Sequence, residues 1–74
     1  MINELDVVAL THPLPDLGLA IGDLGTVVHV YKDGQAFEVE FSTLTGATID
    51  VVTLEADSIR PVAEREIANA RQVA

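Results

Sequence analysis

The sequence predicts a mainly β domain: five short strands curled into a small barrel, followed by a short C-terminal helix. Three observations carry that expectation. Apolar and polar residues alternate with a period of two over residues 36–41, an Asp-Gly pair separates two strand-like segments, and the apolar period changes to a helical one after Val62.

The first strand is expected over residues 5–10, a short apolar run with two β-branched valines, Val7 and Val8. Residues 11–22 then interrupt the pattern. Pro13 and Pro15 lack the amide a central strand needs, and Gly18 and Gly22 admit backbone angles closed to other residues, so a long loop is expected. A second strand over residues 24–31 carries apolar side chains on both faces, with Thr26, Val28 and Val30 set against Val27, His29 and Tyr31. That two-sided character suits a strongly bent central strand.

Lys32-Asp33-Gly34-Gln35 reads as a hairpin turn that demands positive backbone angles. The next strand puts Phe37, Val39 and Phe41 toward a core, and Ala36, Glu38 and Glu40 toward water. Thr43-Leu44-Thr45-Gly46 is a second turn, leading into a β-branched strand over residues 48–54. Glu55-Ala56-Asp57-Ser58 predicts a single helical turn, and residues 59–62 a short closing strand that Pro61 confines to an edge or an end.

Beyond it, Ala63, Ile67, Ala70 and Val73 share one helical face, with Glu64 and Glu66 near the start and Arg71 near the end, as the helix dipole favours. Ile67, Ala70 and Val73 would then dock the helix on the barrel or on a second copy, making a homo-oligomer. The division is a barrel domain over residues 1–62 and a helical tail over residues 63–74. Five strands, one long early loop, two hairpins and a helical turn before the last strand follow the SH3-like barrel order. An OB-like barrel competes, but normally needs more residues and a helix between its third and fourth strands.

At 74 residues the chain allows one domain, and about 60% of its unfolded surface can be buried. A hydrophobic fraction of 49% is enough for a core, while the absence of cysteine excludes disulfides and thiolate metal sites. The net charge of -8 repels nucleic-acid phosphates and anionic lipid headgroups, and suits a basic protein partner. With no basic cluster or long apolar segment at the N-terminus, neither a signal peptide nor a membrane anchor is expected, and the cytoplasm is the expected compartment.

The segment from Gly18 to Tyr31, in which Gly22-Asp23-Leu24-Gly25 makes a tight turn, looks like the lead-in to the second strand of SH3-like and KOW-type domains. Together with residues 4–8, 36–41, 51–54 and 59–62, it makes the chain resemble the small bacterial family of domain of unknown function 4926, over about residues 1–62. The resemblance implies a stand-alone SH3-like protein, a small companion of other proteins of antitoxin-like or immunity-like kind, and carries over no catalytic residue.

Chemistry-bearing residues are sparse, and no enzyme activity or cofactor is expected. Ser42 and Ser58 lie outside any Gly-x-Ser-x-Gly context. His12 and His29, even joined by Asp16 or Asp23, do not show the clustering of a tight metal site. Glu38 and Glu40, about 7 Å apart on one strand face, match a carboxylate spacing that chance supplies readily. Gly22-Asp23-Leu24-Gly25 has neither the lysine nor the helix of a phosphate loop.

The long loop supports two readings. Leu14, Leu17 and Leu19 either cap the barrel or, with Asp16 and the nearby Tyr31, form a partner-contact patch. The functional expectation is therefore a non-enzymatic protein-interaction module, an accessory partner of another protein. An RNA-associated KOW-like domain is the alternative, and a small metal-binding protein a more distant one.

Overall fold

The computed structural model describes residues 1–73. Five strands form one antiparallel sheet: β1 (Val7–Leu10), β2 (Leu24–Tyr31), β3 (Ala36–Ser42), β4 (Thr48–Glu55) and β5 (Ile59–Pro61). Two single 3-10 turns, Pro15–Leu17 and Ala56–Ser58, lie in the connections. The spatial order is β4-β3-β2-β1-β5, so β2, β3 and β4 make a meander and β5 returns to lie beside β1.

The expected barrel is not closed. β5 pairs β1 alone, through Val8↔Pro61, Ala9↔Arg60 and Leu10↔Ile59, and β4 pairs β3 alone. The reason lies in β5 itself, which has three residues and ends in a proline without an amide hydrogen. Such a strand cannot offer a second ladder to β4.

The core forms because β3 alternates. Phe37, Val39 and Phe41 are buried, and they meet Val8, Leu10, Val27, Leu54 and Ile59 from the other four strands. Gly25 in β2 makes this approach possible. A Cβ atom there would stand 2.5 Å from Val39 Cγ1 and 2.8 Å from Phe41 Cε1, so only a glycine lets the two strands pack at this distance.

The hairpin between β2 and β3 is a four-residue loop in which Lys32, Asp33 and Gly34 all have positive φ, as the Asp-Gly signal requires. Inside β2 the simple alternation fails. A bulge between Val27 and His29 inserts Val28, so Val27 and Val30 sit opposite the core residues Val39 and Phe37, while His29 and Tyr31 sit opposite Glu38 and Ala36. Without that extra residue Val30 would lie on the outer face.

The expected C-terminal helix is absent among the described residues, 63–73 of the tail. After β5 the chain makes a turn at Glu64 and Arg65 and continues without regular structure. A helix of this length is marginal unless its apolar face is buried, and here Ile67 is 91% exposed. Ala70 is also exposed and Val73 is half-buried, so the three residues form no helical docking face. Glu66 and Arg71, which would have served the helix dipole, bond to the sheet and its loops instead.

Candidate functional site

The loop after β1 is a compact hairpin of its own. Leu14 and Leu19 exchange backbone hydrogen bonds of 2.9 and 3.1 Å, and the 3-10 turn Pro15–Leu17 bridges them with Gly18 at φ 71°. This geometry turns the leucines inward. Leu19 is 5% exposed and belongs to the core, and Leu14 and Leu17 pack half-buried against it. Of the five residues named for partner contact, Asp16 and Tyr31 are exposed, and Tyr31 lies at the far end of β2.

The ladder register defines a second, outer face of the meander. Thr26, His29, Tyr31, Glu38, Glu40 and Thr53 lie on it, because each pairs across the sheet with another member or its neighbour. Glu38 accepts a hydrogen bond from Thr53 Oγ1, and Glu40 one of 2.8 Å from Thr48 Oγ1. Hydroxyls orient these carboxylates without neutralising them. The His29 ring packs edge-on to Tyr31 at 4.5 Å, and its Nδ1 lies 3.8 Å from Glu4 Oε2. His12 is occupied elsewhere, beside Thr11 Oγ1 at 3.1 Å. Among the described residues no three His, Asp or Glu side chains converge as a metal site would require.

A third region lies where the tail crosses the start of β2 and the β1–β5 pair. Two ion pairs hold it. Arg60 donates two hydrogen bonds of 2.7 Å to Glu66, whose carboxylate also accepts the Ala63 amide at 2.6 Å. Arg71 donates through Nε to Asp23 Oδ1 at 2.9 Å, through Nη2 to Asp23 Oδ2, and to the Gly18 carbonyl at 3.0 Å. The Asp23 carboxylate meanwhile accepts the Ala20 amide at 2.8 Å, which holds the turn before β2.

These bonds shift the acids downward. Hydrogen bonds from Arg60, and then from the Ala63 amide, lower Glu66 to about 2. The hydrogen bond from Arg71 lowers Asp23, against a partial desolvation that works the other way. Both guanidinium groups are raised by the same contacts. Between the tail and the sheet remains a cleft of about 760 Å³, bordered by Ile21, Leu24, Leu44, Ile49, Val62 and Ile67.

Neither ion pair was legible in the sequence: Asp23 and Arg71 are 48 positions apart, and Arg60 and Glu66, six apart, meet only because the tail turns back after β5 instead of forming a helix. A further feature escaped it as well. The Val51 amide donates to the side chain of its own neighbour, Asp50 Oδ1, at 2.7 Å, which places that amide on the open side of β4. Among the described residues no helix is long and apolar enough to cross a membrane.

A family model described as domain of unknown function (DUF4926) matches residues 4–61, a span that contains all five strands and ends with β5. No curated protein and no solved structure matches the chain.

Proposed function

The chain belongs to the family of domain of unknown function (DUF4926), and from its own surface we propose that it is a non-enzymatic interaction module, an accessory protein of the cytoplasm whose partner is a basic protein. The observation that supports this reading is the division of charge. Twelve acidic residues face four lysines and arginines, and two of those four, Arg60 and Arg71, are engaged by Glu66 and Asp23. Among the described residues Glu38 and Glu40 have no cationic partner.

A field of this sign draws a positively charged protein by long-range attraction and selects against nucleic acid. The RNA reading is further weakened because two of the four basic side chains are already paired with carboxylates, with which a phosphate would have to compete. Asp16 and Tyr31 extend the exposed surface at other points, whereas Leu14, Leu17 and Leu19 support the body of the domain.

The test is affinity capture on the immobilised full-length chain from an extract of its native host, at low and high salt, beside the doubly substituted Glu38→Lys/Glu40→Lys form. A defined basic protein should be retained at low salt by the natural chain and released by the variant or by high salt. Equal retention by both forms, or retention of RNA in place of protein, would overturn the reading.

A further inference from the structure

The two ends of the sheet are unequal, and the longer one is open. In an antiparallel ladder the backbone groups of alternate residues point to the partner strand and those between them point away. Val51 bonds to Asp50 Oδ1, so its amide points away from β3, and Thr53 and Glu55 follow by alternation. The amide of Ala56, bonded to the Gln35 carbonyl at 3.2 Å, continues the opposite, inward set. β4 is therefore an eight-residue edge without proline, rich in β-branched residues, and its Val51 and Thr53 side chains are exposed. Edges of this kind are templates for strand addition.

Asp50 decides which strand fits. Its carboxylate occupies the Val51 amide, and an incoming strand must displace it. A second copy of this chain would bring a net charge of -8 against -8 and offer the displaced carboxylate no positive partner. A strand bearing lysine or arginine does offer one.

From this we infer that the free edge of β4 receives an extended, cationic segment of a partner protein as a sixth strand, with Asp50 acting as the guard that excludes acidic strands and copies of the chain itself. The inference rests on the interaction-module reading and gives its contact a location and a geometry.

A capped synthetic peptide of about ten residues alternating lysine and valine, long enough for one strand, is titrated at low salt into the full chain and followed by amide NMR and hydrogen exchange. The Val51 and Thr53 amides should shift and become protected, and a glutamate-valine peptide should leave them unchanged. Val51→Pro removes an edge amide that the ladder does not use, and should weaken binding by about tenfold or more while preserving the thermal transition. Asp50→Lys, at an exposed position, should abolish the preference for the cationic peptide. Shifts confined to Glu38, Glu40 and their outer face, unaffected by Val51→Pro, would overturn the strand addition and leave the acidic module standing. Equal binding of the glutamate peptide would overturn the charge selection, and no shift at any residue would overturn both readings.

Discussion

The meander of β2, β3 and β4 and the tail from Ala63 to Val73 are held by different forces. In the meander Val27, Phe37, Val39 and Phe41 are at most 3% exposed, and the strands cohere because these side chains leave water together. In the tail Ile67 remains exposed, and the polar attachments are Arg60 on Glu66, and Arg71 on Asp23 and the Gly18 carbonyl. The lesson is that proximity to the body does not make a segment part of its core. The meander should respond to lost volume, and the tail to charge and pH.

The sharpest test of that contrast is Phe41→Ala. Removing a fully buried aromatic side chain typically costs about 3–5 kcal/mol, a large part of what a domain of this size possesses, and urea unfolding should show it. A loss below about 1 kcal/mol would mean that the meander is not held by this burial. Arg71→Ala should act oppositely. Exposed ion pairs contribute little to global stability, so the urea midpoint should stay near that of the natural chain, while trypsin should cleave after the exposed Arg65 severalfold faster. Unchanged cleavage would show that the tail is fixed by something besides its charges.

The smallest effect is expected from acid. Glu66 titrates lower in the folded chain, at about 2, than the ordinary 4.5, so its contribution is fully present above the ordinary value and is lost as pH falls through the lowered one. Asp23 shifts in the same direction. Both tail attachments should therefore persist through mild acid. An NMR titration of the Glu66 side chain with a midpoint near its ordinary value would break the pairing with Arg60.

Much of the sheet was legible because local pattern determines it. Period-two alternation from Ala36 to Phe41, the Asp33-Gly34 pair and the β-branched run after Thr48 specify strands and turns from neighbours in sequence. The bulge at Val28 was not legible, since Val27, Val28 and Val30 are equally apolar and none is marked as the extra residue. Barrel closure depended on whether β4 and β5, consecutive in sequence but at opposite edges of the sheet, would pair, which no local period reports. The tail misled for a related reason: Ala63, Ile67, Ala70 and Val73 do have helical spacing, but spacing becomes a helix only where a surface receives that face.

The site was less legible than the fold. Three leucines in a loop are compatible with a patch or with a cap, and the bond pair between Leu14 and Leu19 turns them inward. The open amide of Val51 is a property of ladder phase and leaves no trace in residue identity.

The pairing of β1 with β5 has a consequence for how the molecule is made. Hairpins joined by short turns close quickly, whereas contacts between distant residues wait for the chain to return. β1 emerges before the other four strands, yet its second neighbour is Ile59–Pro61, the last of the five. Until then Val8 and Leu10 lack their partners on that side, and the nascent domain carries an unfinished margin while β2, β3 and β4 are made.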